Sequence, residues 1–599
     1  MAATDKIVSG GTATYVVKVA GKAILDEERI YSIEIITGVN KVSTGRVVLL
    51  DGDATTGKFN ASSSSTFIPG GELTIEAGYD NTNAVIFKGI ITKQTIQVDQ
   101  IIGSSLTVEC RDAAIKMIIG RKSLTYSKKK DSDIIATIIG NYSGLSADVT
   151  ATTIEWPEQV QYYVTDWDFI LSRAEANGLI VTNLNGKVTV AKPDASTTSV
   201  LTVKYGDNLH AFNAELNSIN QIGSAKASSW DFKTQAIING QSSNNHAGPG
   251  NITSKKLSDV VGLSDFELQT TAPIESGSLT DWAKAQLVKS EYAKIQGEAT
   301  IQGTSLLECG KYITLAGLGD RMNGDHIVGG VRHDLSNGNW TTDVAIGLSD
   351  EWFTEDPDVM SPPASGLLPG ATGLFNGTVK KMYDDPDSQF RILVDVPLFD
   401  PNGEGLWARL VNFYSTNGAG AFFLPEVGDE VIIGFLNEDP RFPIILGSVY
   451  SSSKNKPFDG YAPAEKNPKK AIISKTGITV EFDDENKVLT AVTPSKNTLI
   501  LSDKDKKVTL KDENNNSIFM SSDGITIKSA KRITLQADQN VEIKGAQGIK
   551  VASSGGDVET TGNNIKETAN MQFAAKGSMT AQVQGGTELV LKGAMVMIN

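Results

Sequence analysis

Cysteine and histidine are scarce. Cys110 and Cys309 are the only thiols among 599 residues, and the imidazoles are those of His210, His246, His326 and His333. Two cysteines cannot frame a disulfide-stapled fold, and four histidines leave little material for metal or acid–base chemistry. His326 and His333 lie near Cys309 in sequence, but no pair has the close spacing of a zinc site, so they read as packing or surface residues. Long apolar runs are also missing: stretches such as Val431 to Phe435 fall far short of the ~20 residues that span a bilayer. Positive charge is in deficit. With 55 basic against 70 acidic side chains the formal charge is −15, which makes nucleic acid and anionic lipid poor partners. The opening Met1 to Gly10 has neither the basic nor the apolar stretch of a secretory signal, so folding in a cytoplasm is expected. Nucleophile elbows, phosphate-binding loops and His-Glu-x-x-His pairs are absent, and the expectation is a protein without enzyme activity, metal or cofactor. Asp384-Asp385-Pro386-Asp387 lacks the pattern of a calcium loop and reads as a solvated turn. Lys128 to Lys130 reads as a solvated loop.

What is present is uneven. A chain this long exceeds one hydrophobic core, and roughly four domains are expected. All seven tryptophans lie between Trp156 and Trp407, whereas Trp, Tyr, His and Cys are missing after Tyr461. A C-terminal segment so poor in large anchors must bury small and β-branched residues by some other route.

Its periodicity indicates that route. Short alternating runs recur at Gly477 to Phe482, Lys507 to Leu510, Gly524 to Ser529, Arg532 to Ala537, Asn540 to Gly545 and Gly548 to Val551, with weaker copies beginning at Asp557, Asn564, Met571, Met579, Thr587 and Ala594. From Gly524 onward the mean step is about 7.8 residues, one two-sided strand of about five residues plus a tight turn. A solitary solenoid needs several faces per coil and a longer period. A single strand per unit, with one apolar row through Ile525, Ile527, Ile533, Leu535, Val541, Ile543, Ile549 and Val551, fits three chains wound about one axis, each row facing inward and no long edge left bare. The alternative is an antiparallel meander, which calls for hairpin turns and larger core residues.

Upstream, alternation over Gln389 to Val396, Trp407 to Val411, Glu430 to Phe435 and Pro443 to Val449 predicts four or five strands in a barrel of OB size. Linkers rich in Pro, Gly and Ser flank it. The first 350 residues read as mainly β, with helices expected around 132–139, 166–177 and 279–295, the last with a stripe at Trp282, Leu287, Tyr292 and Ile295. A weak echo links Gly71 to Gly78, and Gly89 beyond, with Gly310 to Gly317 and Gly329, which suggests two barrel-like domains of related design. The expected domains are 1–110 and 201–355 as the two barrels, 111–200 as a mixed α/β part, 356–373 as a linker, 374–450 as the OB domain, 451–468 as a second linker and 469–599 as the needle.

Phe422 to Phe435 followed by Asn437 to Tyr450 resembles the OB domain of VgrG-type spike proteins. The pattern is P-x-x-G-D-E-V, an acidic D-P turn, a proline-led strand and a G-S-V-Y exit. Its positions are Gly428, Asp429, Glu430, Gly434, Asp439, Pro440, Pro443 and Gly447. Gly428-Asp429 and Asp439-Pro440 suit turns, and Gly447 suits a close-packed strand position. Phe67 to Gly71, Gly78-Tyr79, Phe87 to Gly89, Asp166 to Leu171 and Ala174 to Gly178 are similar to the phage hub and late-control family. The resemblance implies a mainly β protein of hub-like barrels with a small α/β part, an OB barrel and an intertwined triple-stranded β-helix needle. It further implies a homotrimeric spike of a contractile injection system that plugs an inner tube, meets baseplate proteins through its hub and carries a PAAR-like tip protein. The tip would dock on Met595, Val596, Met597 and Ile598. The particle would be released from the cell or anchored to a membrane, and the N-terminal stretches Tyr15 to Gly21 and Val48 to Gly52 look more like extracellular phage-tail-like particles than type VI spikes. Type VI secretion, a trimeric adhesin and a cell-wall hydrolase are the alternatives, the last lacking room because only about 20 linker residues separate OB domain and needle.

Overall fold

The computed structural model describes residues 11–24, 29–100, 103–244, 248–357, 359–399 and 403–598. His246, Asn599 and the start through Gly10 lie outside them. The chain divides into two compact units, Met1–Val449 and Tyr450–Asn599.

The first unit contains a long mixed sheet made from two copies of one strand plan. The first copy comprises β1 (Ala13–Val19), β2 (Ile30–Gly38), β3 (Lys41–Leu50), β4 (Glu72–Tyr79), β5 (Thr82–Asp99) and β6 (Gly103–Arg111). The second comprises β7 (Leu201–Lys204), β8 (Leu209–Leu216), β9 (Ile295–Gln302), β10 (Tyr312–Ala316), β11 (Gly324–Ser336) and β12 (Asn339–Ile346). Pairing runs β1-β4-β5-β6-β3-β2 in the first and β7-β10-β11-β12-β9-β8 in the second, the same order position by position. One pair breaks the analogy, since β1–β4 is antiparallel and β7–β10 parallel. The copies join where β2 lies antiparallel to the distal half of β11, with Ile35 opposite His333 and Ile33 opposite Leu335. Each copy has its own core, with Ile33, Ile35, Val47, Leu73, Phe87 and Val108 in one and Val203, Ile301, Ile313, Val328 and Val344 in the other.

The register corrects the glycine echo. A bulge between Ile91 and Lys93 on β5 matches one between Val328 and Gly330 on β11. Gly70 N–H donates to Ile91 O as Gly310 N–H donates to Val328 O. Ile91 therefore corresponds to Val328, Gly70 to Gly310 and Gly89 to His326, so the glycines aligned by sequence are offset. Gly89 has its own reason to be glycine: a Cβ there would stand 2.5 Å from Arg111 O.

Between the copies lies an α/β segment around α1 (Asp131–Gly140) and α2 (Asp166–Ala176). Alternation at a helical period puts Ile134, Ile135, Ile138 and Ile139 of α1 and Trp167, Ile170, Leu171 and Ala174 of α2 into one core. The Thr165 hydroxyl caps α2 by accepting from Asp168 N–H. Gly178 takes φ +67° just past the helix end, which only glycine does cheaply. At its base Asp131, 2% exposed, accepts two bonds of 2.8 Å from Arg173 and others from Asn177 and the Trp156 indole. Burial alone would raise its pKa, and Arg173, Asn177 and Trp156 together more than offset that, holding it below the usual carboxylate range.

A further insert inside the second copy places α3 (Ser276–Tyr292) over the strand Ala236–Ser243. Its buried residues are Leu279, Ala283, Ala285, Gln286, Leu287 and Ser290, so of the expected stripe only Leu287 is buried within the helix. Trp282 and Tyr292 stay half-buried, and Ile295 begins β9. Small residues win here because Gly240 lets the strand backbone approach: a Cβ on it would meet Thr280 N at 2.2 Å. Lys128 to Lys130 end a strand, Lys122–Lys130, rather than forming a loop. Among the described residues that strand pairs only with Glu155–Val164 in a two-stranded ribbon, which leaves Lys128 and Lys129 exposed and Lys130 half-buried.

The OB segment is a closed barrel of β13 (Phe375–Lys381), β14 (Ile392–Asp395), β15 (Leu406–Leu410), β16 (Glu430–Phe435) and β17 (Pro443–Ser448). Val379, Ile392, Val394, Ala408, Val431, Ile433 and Ile445 fill it.

The second unit begins with a seven-strand antiparallel meander. Its strands are β18 (Lys469–Ile473), β19 (Thr479–Asp483), β20 (Val488–Val492), β21 (Thr498–Ser502), β22 (Lys507–Lys511), β23 (Ser517–Ser521) and β24 (Gly524–Lys528). Residues 469–528 are thus hairpins within one chain, the alternative to interwinding. The turns explain it. Gly477, Lys496 and Asn515 take positive φ at one end of the strands and Lys487 and Lys506 at the other, each set spaced by 19 residues. Left-handed residues make tight reversals. Among the described residues after Gly524 none has positive φ, and none after Lys528 joins a strand pair.

Candidate functional site

The candidate surfaces are apolar faces, and the OB turns come first. Gly428 has φ +93° with open space around it, and Asp429 accepts from Glu426 N–H at 2.8 Å, closing the turn into β16. Glu430 opens β16 and accepts from Asn376. Asp439 accepts from Arg441 N–H at 3.0 Å and from its guanidinium at 3.0 and 2.7 Å, and Pro440 sits inside this turn before Pro443 starts β17. The Arg441 guanidinium holds the Asp439 carboxyl below its ordinary pKa. Gly434 would tolerate a Cβ, whose nearest neighbour, Leu374, stands at 3.6 Å. Gly447 is not close-packed: a Cβ there meets nothing within 4 Å. It lies opposite Ile432 beside a bulge between Ile432 and Ile433. Around the barrel Phe390, Leu398, Phe413, Phe422 and Phe423 are exposed.

The meander carries a larger surface. Register puts Ile472, Val480, Ala491, Leu499, Leu510, Ile518 and Ile527 in one row across the sheet. A second row on the same face holds Phe482, Leu489, Leu501, Val508, Met520 and Ile525. Sequence reasoning found only Ile525 and Ile527 of this face; the 19-residue spacing of turn residues was the available signal, hidden because lysines occupy three of its positions. The face is uncovered, and it forms a concave trough of about 710 Å³ that reaches Ile533. Ile533, Leu535, Val541, Ile543, Ile549 and Val551 are likewise exposed, as are Met595, Val596, Met597 and Ile598.

The acidic cluster supplies its own cation. Asp385 accepts from the N–H groups of Asp387, Gln389 and Arg391 and from the Arg391 guanidinium, which holds its carboxyl far below the ordinary range. Among the described residues no group of three His, Cys, Asp or Glu side chains is placed to hold a metal ion. No helix there is long and apolar enough to cross a membrane.

Both central histidines are buried. His326 Nε2 lies 2.8 Å from Met322 O, and His333 Nδ1 lies 2.8 Å from Thr342 Oγ1 with its ring against Trp340. Burial lowers the pKa of His333 to about 4. The unfolded chain, with a His pKa near ~6.5, therefore takes up a proton between about pH 6.5 and 4 that the folded chain refuses. Stability is expected to fall across that window by up to about 3 kcal/mol and to level off below it. His333→Gln should flatten the dependence of the melting temperature on pH from 7 to 4.5; an unchanged slope would exclude His333 as its source.

Comparison places these features in a class. Residues 375–450 match the family of the type VI secretion system/phage-baseplate injector OB domain. The type VI spike protein VgrG1a of Pseudomonas aeruginosa is 33% identical over 78 residues, 13% of this chain and 12% of that protein. The chain's match thus spans about an eighth of the length of such curated relatives. Among solved structures, the 43 kDa tail protein of prophage MuSo2 from Shewanella oneidensis covers 57% of this chain and 99% of its own, at 12% identity and TM-score 0.44. An E. coli component of the type VI secretion system covers 72% of this chain and 99% of its own, at 13% identity and TM-score 0.38. The likeness to VgrG-type spike proteins therefore holds, at low identity and over part of the chain, and the names of these relatives are those of spike, tail and secretion-system proteins.

More than half of the chain, residues 9–337, matches the model of the Alg8 N-terminal domain, and the chain belongs to that family.

Proposed function

We propose that the chain is the central spike of a contractile, phage-tail-like injection system and works as a homotrimer. The carrying observation is the open apolar face of the meander, which continues without in-chain cover into Ile533, Leu535 and the rows beyond. A soluble chain does not keep so long an apolar strip in water, and residues beyond Lys528 have no strand partner of their own among the described residues. Two further copies supply both, with the three meanders as walls and the later octads interwound below them as a β-helix needle. In this reading the hub plugs the inner tube and meets the baseplate, sheath contraction supplies the work and the needle transmits it to the target envelope. A phage-tail-like particle is favoured over a type VI system on the N-terminal stretches Tyr15 to Gly21 and Val48 to Gly52.

Light scattering should give three chains of 63.9 kDa, about 192 kDa, and a monomer would overturn the reading. A chain cut before Ala594 should remain trimeric yet release a coexpressed PAAR-like tip protein, since Met595 to Ile598 offer it an apolar seat. Equal retention of the tip by both chains would place the seat elsewhere.

A further inference from the structure

We propose that residues 348–356 form a latch that fixes where the chain leaves the hub for the OB barrel, and that one buried ion pair, Lys289 with Glu175, closes it by holding the backbone of the strap at both ends. The latch is independent of the spike reading.

Between β12, which ends at Ile346, and β13, which begins at Phe375, the chain first crosses two helices from different parts of the hub, α3 of the insert and α2 of the α/β segment. Leu348 N–H donates to the carbonyl of Tyr292, the last residue of α3, at 2.9 Å. The Trp352 indole N–H donates to Gln286 Oε1 at 2.7 Å, and Phe353 N–H donates to Glu175 Oε2 at 2.8 Å. The Phe353 ring packs at the margin of the α/β core. Phe353 also opens a single 3-10 turn, Phe353–Glu355, whose own cap residue, Trp352, makes no capping bond. A carboxylate 178 residues away in sequence therefore satisfies an N–H that the turn leaves orphaned.

Lys289 completes the arrangement. Its ammonium donates to Glu175 Oε1 at 2.7 Å and to Glu351 O at 2.6 Å, and lies 5.2 Å from the centroid of the Trp352 ring. The side chains of Lys289 and Glu175 are only 13% and 5% exposed. Glu175 is not placed for the sake of its own helix: it stands one residue before the end of α2, where the helix dipole disfavours an anion. Gln286 and Lys289 are three residues apart on α3 and so share one face, and that face meets the strap. On its other side the strap walls an open cleft of about 950 Å³, together with Thr37 to Lys41. The hold thus comes from the helices.

The polarity of the pair follows from the strap. α2 must carry the acceptor because Phe353 offers an N–H, and α3 must carry the donor because Glu351 offers a carbonyl. A salt bridge that only joined the two helices would work as well reversed.

Hydrogen–deuterium exchange of the full-length protein tests this, read on peptides covering 348–356 with β12 as the internal reference. Glu175→Met with Lys289→Met removes acceptor and donor together and leaves no unpaired charge buried. Exchange of 348–356 should rise at least tenfold while β12 exchanges as in the parent. Glu175→Lys with Lys289→Glu keeps an ion pair between the helices but sets an ammonium against Phe353 N–H and a carboxylate against Glu351 O. The strap should again exchange at least tenfold faster. Parent-like exchange of the strap in the first variant would show that the pair does not hold it, and parent-like exchange in the second would reduce the pair to an ordinary salt bridge; either overturns the latch. Equal acceleration of β12 would overturn it as well, because the pair would then support the hub as a whole and not a separate strap.

Discussion

Ile533→Lys is expected to abolish needle assembly, with trimer yield near zero by light scattering and proteolysis of residues beyond Lys528. Ile533 lies where the apolar trough of the meander runs into the octad rows, and in the single chain it is 52% exposed. Threefold assembly would turn that position toward the axis and bring three ammonium groups together in a dry interior. No carboxylate of the row is available to pair them, and the desolvation cost of each unpaired charge is several kcal/mol. Lys531→Glu, outside the alternating row, changes charge by a larger amount at a solvated site and should leave the yield within about twofold of the parent. Equal losses from the two substitutions would show that the inward face is another one.

Trp340→Ala should lower stability of the hub by about 3–5 kcal/mol. Trp340 is 2% exposed, stacks on Tyr79 with ring centroids 5.6 Å apart and belongs, with Leu335, to the core of the first strand copy although it lies in the second. It therefore ties the two copies together near the β2–β11 seam. Its cavity is closed on one side by Gly303, where a Cβ would stand 2.1 Å from the indole. Gly303→Ala in the parent should itself cost about 1–3 kcal/mol by overpacking. In the Trp340→Ala chain the same methyl enters vacant space, so the double variant should melt no lower than Trp340→Ala alone. Additive losses in the first thermal transition would show that Gly303 is held by its backbone and not by the indole.

Several features were legible from residue order because they depend on neighbours close in the chain. The OB strands follow from two-residue alternation and from local turns whose caps, Asp429 on Glu426 N–H and Asp439 on Arg441, lie within three residues. Helices α1 and α2 follow from their apolar periods and the Thr165 cap. The turn at Asp384 to Asp387 was readable as well, since the cation that closes it, Arg391, is four residues downstream of Asp387.

The tertiary structure decided what depends on distant partners. The bare alternation of residues 469–528 suits both an intertwined strand and a hairpin; the positive φ at Lys487, Lys496 and Lys506 selects the hairpin, and lysine does not announce that conformation. The apolar row at Ile525 and Ile527 was legible, but its continuation to Ile472 exists only through cross-strand register. The two strand copies share a plan that glycine spacing misaligned, because a bulge shifts register without leaving a residue type behind. By itself the sequence determined the periods, the caps and which faces are apolar; which of those faces meet inside one chain, and which are left for another copy, was decided by strand pairing, since hydrogen-bond register is a property of two strands at once.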